Sequence, residues 1–263
     1  MNNTPVISIQ ESVVTAMDGQ DVDLYPYLPY ILQDVWEIGS DPQVMADLVR
    51  KHGTKRKLLN VLDLGCGKGA VSVTIAKELG FYCHGIDAVL GFIEFAINKA
   101  DELQVSHLCK FEVNDIRKRI KSLPTYDVII LGAVGPVFGN YLETLRILHQ
   151  KLTKNGIILI DDGFIDDDSP FSHLLMSKWS VVKSQIKEAG MQLVDESIIS
   201  KENIASSDDY IFENITRRCK ELMLKHPDKK AIFHNYIKRQ EEENEVLENK
   251  VTCSTLVLKK SSF

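Results

Sequence analysis

Apolar runs in this chain alternate with stretches whose apolar positions recur every three or four residues. The runs cover residues 60–63, 81–87, 110–115, 127–132, 157–162, 191–199 and 251–258. Between them, spacings such as that of Val71, Ile75 and Leu79 place apolar side chains on one face of a helix. Strands that alternate with helices form a mostly parallel sheet with helices on both faces. The pattern therefore predicts an α/β three-layer sandwich.

Several helix boundaries follow from capping residues. Asp41 and Pro42 predict the start of a helix inside an otherwise helical segment, residues 25–51. Another helix, around residues 142–152, is predicted to end at Asn155-Gly156, and a further one contains Leu175 and ends at Gly190. The first twenty or so residues show no informative pattern.

About fifty residues between the sixth and seventh strands have the pattern of two amphipathic helices. The sequence thus predicts four segments: an N-terminal helical segment (1–56), a Rossmann-like core (57–200), a helical insertion that acts as a lid or cap (201–250), and a final core strand (251–263). We expect the first and third segments to cover the carboxyl ends of the strands.

A glycine-rich turn follows the first strand, where Asp63 and Leu64 lead into the sequence Gly-Cys-Gly-Lys-Gly at residues 65–69. Glycines there allow close approach of a ligand, and the following helix N-terminus presents unpaired N–H groups. Asp87 ends the second strand twenty-two residues after Gly65, the distance at which a carboxylate receives ribose hydroxyls. Residues 114–116, at the end of the third strand, can flank a purine. The predicted ligand is a nucleoside derivative.

The glycines also fit the dinucleotide fingerprint, so an NAD-type oxidoreductase is an alternative. Asp63 argues against it, because a carboxylate two residues before the first glycine would repel a pyrophosphate. The same carboxylate suits a cationic group such as the ammonium of a methionine moiety. A phosphate-binding P-loop is excluded because neither Ser nor Thr follows Lys68.

Residues 61–69 resemble the first motif of class I S-adenosylmethionine-dependent methyltransferases, here of the small-molecule type. Asp87, Asn114-Asp115 and residues 126–129 look like the later motifs in the same order, and residues 152–157 resemble the segment that leads into the fifth strand. The resemblance implies a seven-stranded sheet with an antiparallel seventh strand, and S-adenosyl-L-methionine as cofactor.

By that resemblance each motif has an implied contact with the cofactor. Asp63 and the turn hold the methionine end, Asp87 the ribose, Asp115 with Ile116 the adenine, and Leu131 lines the sulfonium side. The implied cofactor-binding set is Asp63, Gly65, Cys66, Gly67, Asp87, Ala88, Asn114, Asp115, Ile116 and Leu131. No catalytic residue is implied, because positioning beside an activated methyl donor supplies much of the rate.

The acceptor is expected to be a small molecule. Residues 132–138, after the fourth strand, are apolar and glycine-rich, and the net charge of -6 gives no basic field for nucleic acid or membrane. Aromatic residues of the helical segments are candidates for the acceptor pocket: Tyr30, Trp36, Tyr210 and Tyr236. A macromolecular acceptor, or a cofactor-binding protein without catalysis, are the remaining alternatives.

Metal and membrane sites are not expected. Asp161-Asp162 and residues 166–168 are interpreted as a solvated acidic loop, because Leu131-Gly132 occupies the position where metal-dependent catechol O-methyltransferases have a further acid. No apolar run is long enough to cross a bilayer. Five scattered cysteines fit reduced thiols in the cytoplasm.

Overall fold

The structure is a computed structural model that describes residues 7–54 and 58–261, and its centre is a seven-stranded sheet. Its seven strands are β1 (Asn60–Leu64), β2 (Tyr82–Asp87), β3 (Cys109–Val113), β4 (Tyr126–Gly132), β5 (Leu152–Phe164), β6 (Met191–Ile198) and β7 (Thr252–Lys260). Their spatial order is β3-β2-β1-β4-β5-β7-β6. β1 to β5 pair in parallel, and β7 is antiparallel to both β5 and β6. The predicted sheet and its antiparallel seventh strand are confirmed.

Helices connect the strands, and further helices form the N-terminal segment and the insertion between β6 and β7. They are α1 (Ile9–Ala16), α2 (Leu28–Ile31), α3 (Pro42–His52), α4 (Ala70–Leu79), α5 (Leu90–Glu102), α6 (Ile116–Arg119), α7 (Tyr141–Lys151), α8 (Trp179–Glu188), α9 (Lys201–Lys225) and α10 (Lys230–Asn249). Short 3-10 turns span Val22–Tyr27, Ser106–Leu108, Ile120–Ser122 and Pro227–Lys229. Among the described residues, none of the helices combines the length and hydropathy required to cross a membrane.

The central strands are buried on both faces, as near-continuous apolar runs predict for parallel strands. Leu62 and Ile129 belong to a cluster on the face covered by α7 and α8. Val61 and Val128, one position away, belong to a cluster with α3 and α4 on the opposite face. This alternation fixes which strand-end side chains point toward each helical layer.

A third apolar cluster joins the N-terminal segment to the insertion. Leu28 and Ile31 of α2 are buried against Ile215 of α9 and Phe233 of α10. We call the combination of residues 7–38 with α9 and α10 the helical cap. The predicted boundary at residues 56 and 57, and the last two residues of the predicted final segment, lie outside the described residues.

Two predictions about helices are wrong, and one helix lies where the sequence showed no pattern. Asn155-Gly156 does not end α7, because Leu152 is already extended and both residues lie in β5. Gly156 instead allows close strand packing, since a Cβ there would lie 2.7 Å from the Asp127 carbonyl oxygen. Leu175 precedes α8 and is half exposed. The unpatterned N-terminus contains α1, which begins with a capping box between Ser8 and Glu11.

Candidate active site

The glycine turn connects β1 to α4 at the carboxyl edge of the sheet. Gly65, Gly67 and Gly69 have φ values of 72°, 51° and 76°, a region that residues with a Cβ rarely adopt. A Cβ on Gly69 would also lie 2.7 Å from the Cβ of Ala96, and one on Gly65 would lie 2.3 Å from Cγ1 of Val134. Both the backbone conformation and the space therefore require glycine.

Asp87 joins the end of β2 to this turn. Its Oδ2 accepts a hydrogen bond from the Gly67 N–H at 2.9 Å, and its Oδ1 accepts one from the Val89 N–H at 2.8 Å. The side chain is buried, and burial raises its pKa despite these hydrogen bonds. Because each carboxylate oxygen can accept about two hydrogen bonds, acceptor capacity remains for ligand hydroxyls.

Asp63, on the neighbouring strand, is buried beneath the turn. The Ser72 hydroxyl donates to its Oδ2 at 2.7 Å. Burial raises the pKa of Asp63 to about 6, while the hydrogen bond from Ser72 lowers it and the charge of Asp87 raises it. The sequence analysis missed Ser72. Its signal is a small polar residue between Val71 and Val73 on a helix that is otherwise apolar there.

Residues 114–116 have local structural partners. Asp115 caps α6 by accepting from the Arg117 N–H at 3.0 Å, and the Arg117 guanidinium donates to both its oxygens at 2.9 Å. Burial alone would raise the pKa of Asp115, but the bonds from Arg117 leave it lowered. Asn114 donates to Glu112, and Ile116 is buried in the core. Their contact with adenine stays a prediction.

Lys68, inside the turn, is almost fully buried and holds the cap, a role that the sequence analysis missed. Its ammonium donates to the carbonyl oxygens of Leu32 at 2.9 Å, Gln33 at 3.2 Å and Val35. It also lies 3.8 Å from the centre of the Phe95 ring. Burial lowers its pKa to about 8. Three carbonyls at the end of α2 are thus anchored to the turn.

The predicted pocket aromatics are divided between the turn and the cap. The Trp36 indole N–H donates to the Lys68 carbonyl at 3.1 Å, which places Trp36 against the turn. Tyr30 donates to Glu221 of α9 at 2.5 Å. Tyr210 is 55% exposed and donates to the Asp34 carbonyl, whereas Tyr236 is buried in the cap's apolar cluster. Of the four, the structure places only Trp36 beside the turn.

An ion-pair network connects the same segment to α9. Arg218 donates two hydrogen bonds to the Asp34 carboxylate, at 2.5 and 2.9 Å, and Arg217 adds a third at 3.0 Å. Asp34 lies between Leu32 and Val35, whose carbonyls accept from Lys68. Residues 30–36 therefore bridge the turn and the insertion.

The interpretation of Asp161-Asp162 as a solvated loop is wrong, although residues 166–168 are exposed. Both aspartates lie within β5, where Asp161 is 8% exposed and Tyr141 donates to Asp162 at 3.0 Å. Burial raises the pKa of Asp161 to about 6 and also raises that of Asp162. Within residues 7–54 and 58–261, no group of three or more His, Cys, Asp or Glu side chains is arranged to hold a metal ion.

Comparison with known sequences places the chain among methyltransferases. A family model described as a methyltransferase domain matches residues 55–250. The ribosomal protein L11 methyltransferase of Thermosipho melanesiensis is 32% identical over 127 residues, which are 47% of this chain and 44% of that protein. The ubiquinone biosynthesis O-methyltransferase of Rickettsia canadensis is 29% identical over 121 residues, 45% of this chain and 48% of that protein. The chain spans about half the length of these curated relatives.

Comparison with solved structures shows the same fold. A methyltransferase from Geobacter sulfurreducens, in complex with S-adenosyl-L-homocysteine, has a TM-score of 0.69 at 18% identity and covers 83% of this chain and 90% of its own. One from Thiobacillus denitrificans, also in that complex, has a TM-score of 0.68 at 19% identity and covers 98% of this chain and 100% of its own. The family predicted from the glycine turn is confirmed: the chain belongs to the methyltransferase domain family.

Proposed function

We propose that this protein transfers a methyl group from S-adenosyl-L-methionine to a small molecule. The observation that carries the proposal is the pair of buried carboxylates, Asp63 and Asp87, on adjacent parallel strands at the glycine turn. A carboxylate on each strand suits a ligand with an ammonium at one end and ribose hydroxyls at the other. The two structural neighbours described above bind the demethylated form of that cofactor.

In this proposal, the turn and the strand ends each bind a different part of the cofactor. The backbone of Gly65, Cys66 and Gly67 lies against the methionine portion, and Asp63 balances its ammonium charge. The acceptor capacity of Asp87, with Ala88 beside it, serves the ribose. Asn114, Asp115 and Ile116 border the adenine, with Asp115 held in place by Arg117. Leu131, at the end of β4, borders the sulfonium.

The protein's contribution to the reaction is alignment. The cofactor supplies a methyl group already activated by its bond to a sulfonium, so the chain must hold the acceptor in line with that bond. Fixing two reactants in this geometry is worth effective molarities of about 10⁵ M or more. The cap is held to the turn by Lys68 and Trp36, and from this position it contributes to holding the acceptor.

A small acceptor is supported by the contacts of the cap with the turn and by the net charge of -6. Among the relatives, the ubiquinone biosynthesis enzyme is named for a small-molecule pathway, whereas the ribosomal protein L11 enzyme is named for a protein. The residues that follow β4 are apolar, and within the cap the insertion packs against the N-terminal segment. These features favour a small molecule over a protein surface.

A dehydrogenase is disfavoured by the sheet itself. Dinucleotide-binding sheets have the order 3-2-1-4-5-6. Here β7 lies antiparallel between β5 and β6. The strand order therefore differs from that of a dinucleotide-binding sheet, although the glycine turn and Asp87 fit both alternatives.

Calorimetry with S-adenosylhomocysteine, S-adenosylmethionine and NAD tests the cofactor. We expect the first two to bind with micromolar or lower dissociation constants and NAD to show no saturable binding. A metabolite panel, with formation of S-adenosylhomocysteine as the readout, then tests turnover. Binding of NAD without binding of either adenosyl compound would refute the proposal. Turnover on a ribosomal protein, but on no metabolite, would refute the small-molecule acceptor.

A further inference from the structure

A second group of carboxylates lies beside the glycine turn, on the acceptor side of the sheet. Gly132, the last residue of β4, pairs with Asp161 of β5, and the Ala133 N–H donates to the Asp161 carbonyl at 3.0 Å. Val134 follows and packs against Gly65 of the turn. Asp161 is therefore separated from the turn by one short loop.

This side of the sheet is rich in acids that have no basic partner. Asp161 and Asp162 are in β5, while Glu37 and Asp41 come from the segment that enters α3. In the part of the chain that the structure describes, none of these four carboxylates forms an ion pair with Lys, Arg or His. Glu37 and Asp41 are exposed, and Asp162 accepts hydrogen bonds from Tyr141 and from the Gly163 N–H. Asp161 is the buried member, and a buried carboxylate without a basic partner is costly, so its position favours the arrival of a cation.

The cap contributes acids to the same region. Burial raises the pKa of the Cys253 thiol in β7, and four carboxylates raise it further: Asp161, Asp208, Asp162 and Glu243. Asp208 belongs to α9 and Glu243 to α10. The negative potential therefore extends from the strand ends to the inner surface of the insertion.

A buried hydroxyl with unused acceptor capacity lies at the same place. Ser40 is 8% exposed, its hydroxyl donates toward the Asp161 carboxylate, and no described residue donates a hydrogen bond to its Oγ. It lies against Gly132, where a Cβ would be 2.4 Å from it, and close enough to Asp161 to lower that residue's pKa. Buried hydroxyls normally use their hydrogen-bonding capacity, and an N–H group of a ligand could donate a hydrogen bond to the Ser40 Oγ.

We propose that the methyl acceptor is a cationic amine whose nitrogen lies between Asp161 and Ser40. The inference rests on the proposed methyl transfer and specifies its substrate class. A carboxylic acid would meet like charge there, and an alcohol would leave the acids uncompensated. In the described ranges, no group of three or more His, Cys, Asp or Glu side chains is arranged to hold a metal ion.

The reaction balances with Asp161 as the proton acceptor. The ammonium gives one proton to the Asp161 carboxylate, which frees the lone pair of the nitrogen. That lone pair forms the new C–N bond as the C–S bond of the cofactor breaks, and the electron pair of the C–S bond remains on sulfur. The products are a methylated ammonium, S-adenosylhomocysteine and the neutral acid of Asp161.

The test is calorimetry on protein saturated with S-adenosylhomocysteine. The panel contains alkyl and arylalkyl primary amines, each beside the alcohol and the carboxylic acid of the same carbon skeleton. We expect at least one amine to bind tenfold or more tightly than its alcohol, with no binding by the acid. Asp161→Asn should weaken that amine about tenfold or more and Ser40→Ala about threefold, with alcohol binding unchanged.

Asp101→Asn, on the exposed side of α5, is the matched control for the loss of one negative charge. It should leave amine binding unchanged. Equal binding of amines and alcohols, unchanged amine binding by Asp161→Asn, or no amine binding at about 10 mM would each overturn the inference. Failure to bind S-adenosylhomocysteine would instead contradict the proposed methyl transfer, and thus the two failures are distinguishable.

Discussion

The carboxylates of the glycine turn and those at the end of β5 are buried to a similar degree, yet their surroundings differ. Asp87 accepts two backbone N–H groups, Asp63 accepts the Ser72 hydroxyl, and Asp115 is paired with Arg117. Among the described residues Asp161 forms no ion pair, and the hydrogen bond that lowers its pKa comes from the Ser40 hydroxyl. The first group is held by the turn, the neighbouring helices and Arg117, whereas Asp161 meets a side chain of the N-terminal segment.

This difference separates two kinds of binding surface. Side chains that the backbone orients are preorganised, as the proposed role of the turn in cofactor binding requires. At Asp161, on our inference, the acceptor supplies the charge that the described residues do not. We therefore expect the cofactor side to be set by the fold and the acceptor side by the substrate.

We expect the largest loss of unfolding free energy from a substitution of a turn glycine on the cofactor side. Gly69→Ala combines a left-handed backbone, φ 76°, with a Cβ 2.7 Å from Ala96. Gly80→Ala has nearly the same φ, 68°, but its Cβ would have no neighbour within 4 Å. We expect losses of unfolding free energy of about 3 kcal/mol and about 1 kcal/mol, measured by urea denaturation. Equal losses would show that packing at the turn is unimportant.

Asp87→Asn tests whether the oriented carboxylate binds the cofactor. The amide keeps one acceptor oxygen but loses the charge and presents an N–H group to either Gly67 or Val89. We expect S-adenosylhomocysteine to bind about 30- to 100-fold more weakly by calorimetry, about 2–3 kcal/mol. Asp161→Asn should change that affinity less than twofold. A similar loss from both variants would abolish the distinction between the two sides.

The pH dependence of stability should have opposite signs at Asp161, whose pKa is raised, and at Asp115, whose pKa is lowered. Burial raises the pKa of Asp161 to about 6, and its neighbours Asp162 and Asp41 raise it further. The ionised form is therefore disfavoured in the native state, and stability is lost as pH rises through about 6. Asp161→Asn should stabilise the ligand-free protein by about 1–3 kcal/mol at pH 7.5, with a smaller gain at pH 4.5.

Asp115 gives the contrasting result because Arg117 lowers its pKa. Its stabilising effect is present at neutral pH and is lost as pH falls through the lowered value. Asp115→Asn should therefore destabilise the protein by about 1 kcal/mol at pH 7.5. Denaturant unfolding at both pH values measures the two variants. A stabilising Asp115→Asn, or a destabilising Asp161→Asn, would contradict the assignment of the two environments.

The smallest effect is expected from Lys68→Met, which removes the ammonium that joins the cap to the turn. We expect faster hydrogen exchange at residues 32–36 and about fivefold weaker binding of S-adenosylhomocysteine, about 1 kcal/mol. Lys151→Met, which removes an ammonium that donates to the carbonyl oxygens of Lys121 and Leu123 before β4, is the control. Unchanged exchange at residues 32–36 would show that the network to α9 holds this segment by itself.

The strands and the turn were predictable because their signals are local. Apolar runs end in Asp63 and Asp87, and the glycines follow at once. The contacts of Ser72, Lys68 and Ser40 were not predictable, because each depends on how separate segments pack. Asn155-Gly156 shows the same limit: the pair has the composition of a helix end, yet Gly156 is needed for strand packing against Asp127.

The insertion that forms half of the cap is, topologically, a very long hairpin loop. β6 ends at Ile198, which pairs with Ser254 of β7, and the Ile199 N–H donates to the Cys253 carbonyl at 2.9 Å. The pairing of β6 with β7 at the base of the loop involves no residue of α9 or α10. The entropic cost of loop closure grows only slowly with loop length. Evolution can therefore exchange this loop for one of another length or charge while the sheet keeps its register. Substrate range can diversify on an unchanged cofactor scaffold.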